Sequence, residues 1–208
     1  MKKIILTIGF ILYALLTSAQ IKDTFDSNAL GWNETVQKDG EAIITEGVMR
    51  LEGKNALNDT WDFARSSAVN TYCYAPIDVT KNFTIKCTAI AKKITDKGLF
   101  GIIFDQKDEY NQSAFYITKR DKNSLLVRYM YISENIIKGY KESVIKIKET
   151  KNAQFDFEIR STFDRIEFYV NTDKAMELRY YPVEYGGFGF ELFGQMTIDF
   201  DDVEFIQY

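Results

Sequence analysis

The chain has 208 residues, a formal net charge of −4, no histidine and 15% aromatic residues. The absence of histidine excludes Ser-His-Asp and Cys-His catalysis and His-ligated zinc or copper, and leaves carboxylate chemistry and oxygen-ligated metals. The negative charge argues against nucleic acid or an anionic membrane surface as a partner, since both need a basic footprint.

The first residues have the pattern of a secretory signal peptide. Lys2 and Lys3 precede an apolar run over residues 4–16, and small residues end at Ala19. This pattern predicts a signal peptide over residues 1–19 that is cleaved after Ala19, so the protein would be exported to the periplasm or the extracellular space. The run is shorter than the roughly 20 residues that span a bilayer. We therefore expect no transmembrane segment after cleavage.

From residue 20 onward the sequence alternates apolar and polar residues with a period of two. Residues 42–45 and 48–51 flank Glu46-Gly47, which is a hairpin signal. Further strands are predicted at 83–91, 99–105, 114–118, 125–132, 154–160, 165–170, 175–181, 188–193 and 196–205. Residues 54–62 and 133–141 are polar and are predicted to be long loops. The pattern favours one all-β domain, a sandwich or barrel, over residues 20–208.

The two cysteines are Cys73 and Cys87. A disulfide between them would persist in an exported protein, provided that the strand around Cys73 lies beside the strand over residues 83–89. The alternative is that both are buried as small apolar residues, because Cys87 shares an apolar strand face with Phe83 and Ile85.

Four short motifs follow one another in an order that is similar to a known superfamily. They are Asp23-Thr-Phe-Asp-Ser-Asn-Ala-Leu-Gly-Trp32, Gly101-Ile-Ile-Phe-Asp105 with Phe115-Tyr116-Ile117, Ile166-Glu-Phe-Tyr-Val-Asn171, and Phe200-Asp-Asp-Val-Glu-Phe205. This order resembles the concanavalin A-like lectin/glucanase superfamily, in particular exported bacterial domains related to laminin-G-like and family-16-glycoside-hydrolase-like sequences. The resemblance implies a two-sheet antiparallel jelly-roll sandwich and carbohydrate as the usual ligand class.

Hydrolases of that superfamily carry Glu-x-Asp-x-x-Glu on one strand, where alternation aims the carboxylates into one cleft. The nearest match is Asp199-Phe-Asp201-Asp-Val-Glu204. It begins with Asp and lies on the last strand instead of mid-chain. Asp199, Asp201 and Glu204 are therefore weak catalytic candidates, and the departure favours a protein that is not an enzyme.

The same strand predicts a β-bulge. Ile198 and Phe200 have one parity and Val203 and Phe205 have the other, so the strand must change register near Asp201-Asp202 if all four apolar residues face the core.

Adjacent carboxylates at a bulge favour a cation, and calcium takes oxygen ligands. Jelly-roll modules often pair their first and last strands, so Asp23 or Asp26 would complete a calcium site with Asp201 or Asp202. The alternative is that these acids are solvated or paired with Lys or Arg.

Sugar binding needs an aromatic ring for stacking with amide and carboxylate groups beside it. Trp61 fits this description, since it lies in a polar loop with Asn58, Asp59 and Asp62.

A second sugar-binding group would form if Tyr116, Arg128 and Tyr169 share one sheet face. Trp32 is predicted to pack inside the sandwich instead. A pair formed by Glu158 and Glu167 on neighbouring strands is expected to be solvated.

Three functions follow from these observations. The first is an exported, non-catalytic, lectin-like module that binds a glycan or polysaccharide. The second is a glycoside hydrolase of the same fold. The third is a cell-envelope domain that binds another protein through exposed aromatic residues.

Overall fold

The structure of the protein is a computed structural model that describes residues 20–57, 68–95, 97–108, 110–134, 136–147, 153–180 and 186–208. The predicted signal peptide and the loop residues 58–62 lie outside this part of the chain. Within it, we find no helix of sufficient length and apolarity to traverse a bilayer.

The described residues form 15 strands. They are β1 (Gln20–Asp23), β2 (Thr35–Gln37), β3 (Gly40–Thr45), β4 (Val48–Gly53), β5 (Val69–Tyr74), β6 (Phe83–Lys93), β7 (Leu99–Asp108), β8 (Asn111–Asp121), β9 (Ser124–Ser133), β10 (Ile136–Lys146), β11 (Ala153–Thr162), β12 (Arg165–Val170), β13 (Asp173–Arg179), β14 (Gly187–Phe193) and β15 (Thr197–Gln207).

The strands form two antiparallel sheets, as the sequence predicts. One sheet has nine strands in the order β13-β12-β11-β6-β15-β4-β3-β2, with β1 also paired to β15, and the other has six in the order β10-β9-β8-β7-β14-β5. The first and last strands pair, so that Asp23 lies opposite Val203. The expected pairing of these two strands is therefore confirmed.

Aromatic rings from the two sheets fill the space between them. Phe190 stacks on Phe200 with ring centroids 3.9 Å apart, and Phe115 stacks on Phe168 at 4.5 Å. Trp32 is buried and stacks on Phe190 at 5.3 Å. The prediction that Trp32 packs in the sandwich is confirmed, and burial of such large rings supplies much of the hydrophobic stabilisation.

Local sequence signals identify two features correctly. Strands β3 and β4 pair around Glu46 and Gly47, which both have positive φ, 54° and 75°, as a tight hairpin turn requires. The pairing of β15 with β6 shifts register between Asp201 and Glu204. The predicted bulge is thus confirmed, and it buries apolar residues of both parities.

One predicted loop is wrong. Residues 133–141 include the start of β10, which pairs with β9 across its whole length. Strand β10 lies at the edge of the six-stranded sheet, and most of its residues are exposed or half-buried. An edge strand of this kind has no clear apolar-polar alternation, so the sequence does not reveal it.

Of the two alternatives for the cysteines, the structure shows the second. Cys73 and Cys87 are free and buried. Strand β5 pairs with β14 at the edge of one sheet, whereas β6 lies inside the other sheet. Because packed sheets are about 10 Å apart, the condition for a disulfide, that the two strands lie side by side, is not met.

Candidate functional site

The exposed aromatic residues of β5 mark the candidate site. Strand β5 directs Val69, Thr71 and Cys73 into the core, so its alternate residues face outward. Of these, Tyr72 is 38% exposed and Tyr74 is 75% exposed. The outer face of the six-stranded sheet therefore carries two neighbouring tyrosines at its edge.

Glycines on the next strand allow neighbouring backbones to approach closely beside these rings. Gly189 lies opposite Tyr72, and Gly187 lies opposite Tyr74. A Cβ on Gly187 would collide with the backbone oxygen of Gln106, and one on Gly189 with the backbone oxygen of Thr71. Only glycine therefore fits at these two positions, and β14 has no side chain beside the two rings, which leaves a depression in the outer face.

The depression is a polar cleft with a volume of about 450 Å³. One wall of the cleft is the segment that leads into β2. In this segment, the backbone amide of Asn33 donates a hydrogen bond of 2.9 Å to the Tyr72 carbonyl. The cleft is lined by Asn33, Thr35, Gln37, Asn70, Tyr72, Tyr74, Gln106, Lys107, Asp108 and Gly187. We call this site the edge cleft. Its lining combines aromatic, amide and hydroxyl groups with one cation and one carboxylate.

A chain of buried hydrogen bonds fixes the orientation of Gln106. Gln106 Nε2 donates to Gln112 Oε1 at 3.2 Å, and Gln112 Nε2 donates to Glu191 Oε2 at 3.5 Å. Tyr116 donates its hydroxyl to the same Glu191 oxygen. Gln112 thus presents its NH₂ group to Glu191 and its oxygen to Gln106. The Gln106 amide is oriented accordingly, with its nitrogen toward Gln112.

This orientation leaves an acceptor unused. Gln106 is 5% exposed, and its Oε1 has no hydrogen-bond partner among the described residues. A buried polar atom without a partner costs about 1–3 kcal/mol. Gln106 lines the edge cleft, although this oxygen itself is buried beneath the cleft surface.

The carboxyl group beneath the cleft is Glu191. Burial raises its pKa, while hydrogen bonds from Tyr116, Asn70 and Gln112 act in the opposite direction. Burial and the neighbouring Glu191 raise the pKa of the Tyr116 hydroxyl well above its usual value. Tyr116 therefore stays protonated and acts as a donor to Glu191.

The structure places Tyr116 and Arg128 together, but not where a ligand touches them. They are direct partners across β8 and β9 and share the outer face, yet they are only 1% and 3% exposed. Arg128 Nε donates to Glu142 Oε1 at 2.8 Å. The predicted platform is wrong, since these side chains are buried and Tyr169 lies on the other sheet.

The weak catalytic candidates lie on the outer face of the nine-stranded sheet, away from the edge cleft. Asp199 accepts two hydrogen bonds from Arg50 and lies 3.7 Å from Lys92. Glu204 is 3.8 Å from Lys86. Asp201 and Asp202 are separated from Glu204 by the bulge. Asp199 and Glu204 therefore lie in ion pairs of the sheet surface, and Asp201 Oδ1 accepts a hydrogen bond of 2.7 Å from the Asp202 amide.

Glu158 and Glu167 also lie on this surface, and both are paired. Glu158 binds Arg160, and Glu167 accepts from Lys174 at 2.9 Å.

The residues of the calcium-site hypothesis have other partners in the structure. Asp23 Oδ1 accepts from the Phe25 amide at 2.9 Å, and its Oδ2 accepts from Trp32 Nε1 at 2.8 Å. Asp202 pairs with Lys22 at 2.6 Å. Asp23, Asp26, Asp201 and Asp202 all lie in the described part of the chain, in which no group of three or more His, Cys, Asp or Glu residues is placed to hold a metal ion. Asp23 instead anchors the chain around Trp32.

The loop residues predicted to bind sugar, Asn58, Asp59, Trp61 and Asp62, lie outside the described residues, so their role stays a prediction. Tyr72 and Tyr74 were not among the residues that the sequence pattern had suggested as ligand contacts. The available signal was the alternation Tyr72-Cys73-Tyr74, in which a buried thiol between two tyrosines predicts that both rings face outward.

No protein-family model and no curated protein matches this chain. Solved structures do match its fold. The catalytic domain of an endo-1,3-beta-glucanase (laminarinase) from Thermotoga petrophila RKU-1 aligns with a TM-score of 0.61 and 10% identity, over 91% of this chain and 98% of that one.

Two carbohydrate-binding domains align as well. The carbohydrate recognition domain of Emp47p has a TM-score of 0.61 and 11% identity, over 92% and 97% of the two chains. The carbohydrate-binding module CBM66 from Bacillus subtilis has a TM-score of 0.50 and 14% identity, over 85% and 96%. Enzymes and binding modules share this architecture, and the chain has the concanavalin A-like lectin/glucanase fold.

Proposed function

We propose that this protein is an exported, non-catalytic carbohydrate-binding module and that its ligand lies in the edge cleft. The observation that carries the proposal is the pair of exposed rings, Tyr72 and Tyr74, beside the glycines of β14 with amide groups around them. Tyrosine offers a flat apolar face for a sugar ring and a hydroxyl for its polar groups. Export, which residues 1–19 predict, fits a polysaccharide ligand.

The charge of the cleft favours a neutral glycan. Its lining contains one cation, Lys107, and one carboxylate, Asp108, while Asn33, Gln37 and Asn70 contribute amides. Amides both donate and accept hydrogen bonds, which matches the hydroxyl groups of a neutral sugar. A rotation of the Gln106 side chain on binding would bring its unused Oε1 to the cleft surface, as an acceptor for a hydroxyl or for a water that bridges to one.

The placement of carboxylates supports binding without catalysis. Glycoside hydrolysis needs two carboxyl groups about 5–10 Å apart. On β8, Asn111 lies opposite Asp108, and Tyr116 lies opposite Gly101, which in turn pairs with Glu191. The five-residue separation on β8, at about 3.3 Å per residue, places the backbones of Asp108 and Glu191 roughly 17 Å apart along the strands. Glu191 is also buried beneath the cleft, out of reach of a water nucleophile.

Binding to an array of neutral polysaccharides tests the proposal. We expect selective retention on at least one glycan and no release of reducing sugar from it. Tyr74→Ala should weaken that binding about tenfold, because a stacking contact is worth roughly 1–1.5 kcal/mol. Tyr74 is mostly exposed, so this change should leave the melting temperature nearly unaltered.

Tyr208→Ala is the matched control. Tyr208 is 65% exposed and follows β15 of the other sheet. Equal loss of binding in both variants, or cleavage of the glycan, contradicts the proposal. Absence of binding to every glycan would favour the protein-binding alternative.

A further inference from the structure

The middle of the six-stranded sheet is closed on its outer side. The outward-facing residues of β7 and β8 would be exposed if this face were open, because successive side chains alternate between the two faces. Instead, Leu99 and Ile103 of β7 and Ala114 and Tyr116 of β8 are at most 1% exposed. They belong to a second apolar cluster, separate from the core between the sheets.

Residues before β5 take part in this closure. Leu57 belongs to the cluster, with Phe193 of β14, and Ala68 packs against it. Ala68 immediately precedes β5, so the closed region begins next to Asn70, at one end of the edge cleft. A glycan lying in the cleft therefore cannot continue across the middle of the sheet or past Asn70 along β5.

The remaining sides of the cleft are bounded as well. Asn33, Thr35 and Gln37 form the wall beyond the free edge of β5. The end of β7 supplies Lys107 and Asp108. Tyr74, the most exposed of the lining tyrosines, lies at the end of β5 that is farther from Asn70. Among the described lining residues, the two tyrosines are therefore most exposed at the Tyr74 end of the cleft, away from the closed region at Asn70.

We propose that the edge cleft binds the end of a neutral glycan chain and does not bind internal segments. This inference rests on the proposed carbohydrate-binding function and specifies its substrate class. A cavity of about 450 Å³ is in the lower part of the roughly 300–1,000 Å³ range of small-molecule sites. That volume suits a terminal sugar and its neighbour, and a chain passing through would need a second exit.

Chain length separates the two modes of binding. The probes are linear oligosaccharides from disaccharide to hexasaccharide, in the β-1,3-gluco, β-1,4-gluco, malto, xylo, manno and fructo series, with cyclic glucans as probes that have no chain end. Isothermal titration calorimetry of the whole protein gives a Kd for each. We expect the Kd of the preferred series to change less than about twofold between trisaccharide and hexasaccharide. The cyclic counterpart should bind at least about tenfold more weakly.

A Kd that falls steadily with chain length, together with equal binding of the cyclic glucan, overturns chain-end recognition but leaves the carbohydrate-binding function intact. No binding by any series overturns both. Tyr74→Ala should weaken binding of the preferred trisaccharide and Tyr208→Ala should not. Retained binding in Tyr74→Ala would place the sugar elsewhere and also contradict the inference.

Discussion

Arg50 binds both carboxylate oxygens of Asp199, with Nε 2.7 Å from Oδ1 and Nη2 3.0 Å from Oδ2. The Asp199 side chain is 3% exposed, whereas that of Arg50 is 27% exposed. The pair joins neighbouring strands β4 and β15, since the two residues lie directly opposite each other. A residue that the sequence suggested as a catalytic candidate is therefore part of a bidentate, mostly buried ion pair.

Substitutions of Arg50 and of Asp199 should differ in their effect on the free energy of unfolding. Arg50→Ala leaves a buried carboxylate with only Lys92 nearby, so we expect a loss of about 3 kcal/mol in the free energy of unfolding. Asp199→Asn should cost less, because Arg50 still reaches solvent and the amide oxygen still accepts. Urea unfolding measures both, and equal losses would contradict this account. Neither change should alter glycan binding.

A buried carboxyl group should make stability fall as the pH rises. Asp105 is 6% exposed and accepts a hydrogen bond of 2.6 Å from Tyr180. Burial raises its pKa from 3.8 to about 7, and the hydrogen bond from Tyr180 opposes this only in part. The folded chain therefore binds the proton of the Asp105 carboxyl group more tightly than the unfolded chain does. Between these two pKa values, the free energy of unfolding therefore decreases with pH by about 4 kcal/mol at most.

Asp105→Asn should remove this dependence, since an amide does not titrate and its oxygen still accepts from Tyr180. Relative to the natural chain, we expect the fall in unfolding free energy between about pH 5 and about pH 8 to shrink by up to about 3 kcal/mol. Asp173→Asn, at an exposed position at the start of β13, is the control. Parallel pH profiles for the natural chain and Asp105→Asn would show that the Asp105 carboxyl titrates normally.

The bulge in β15 should tolerate glycine and resist branched residues. Asp202 has φ of 52°, and its ion pair with Lys22 joins side chains that are about half exposed. Such a surface pair contributes little. Asp202→Gly should therefore change stability by less than about 1 kcal/mol, while Asp202→Val should cost about 1–2 kcal/mol. Asp156→Val, at an exposed position in β11, serves as the control.

The hairpin and the bulge, which the residue pattern alone predicted, are local features. The Glu46-Gly47 hairpin needs only the residues around the turn. The bulge at Asp201-Asp202 follows from the change in parity between Phe200 and Val203. Both depend on the residue types of a tight turn or on the alternation of side chains along one strand, which involve only a few consecutive residues.

The site depends on distant pairings, which the alternation along one strand does not contain. The edge cleft exists because Tyr74 lies opposite Gly187, more than a hundred residues later in the chain. The alternation along β8 places Tyr116 on the outer face of the sheet. It is nevertheless buried, in the apolar cluster that includes Leu57. Local alternation assigns a face to a side chain but does not show what covers that face.

The thiols should be unreactive in the folded protein. Burial raises the pKa of Cys73 to about 12, and it also raises that of Cys87. Since the thiolate is the reactive form, we expect no reaction with Ellman's reagent in native buffer without reductant. In denaturant the same sample should release two equivalents, one for each cysteine of the chain. Absence of reaction in denaturant would indicate that a disulfide forms.

Replacing Gln106 should separate binding from stability. Gln106→Leu removes an acceptor without a partner, but it also deprives Gln112 Oε1 of its donor. These two changes oppose each other, so the free energy of unfolding should stay within about 1 kcal/mol of the natural value. Glycan binding should weaken about tenfold, because the bound sugar or its bridging water loses an acceptor. If Gln106→Leu leaves the Kd for the glycan unchanged, the buried oxygen takes no part in recognition. A large loss of stability would instead identify Gln106 as a structural residue.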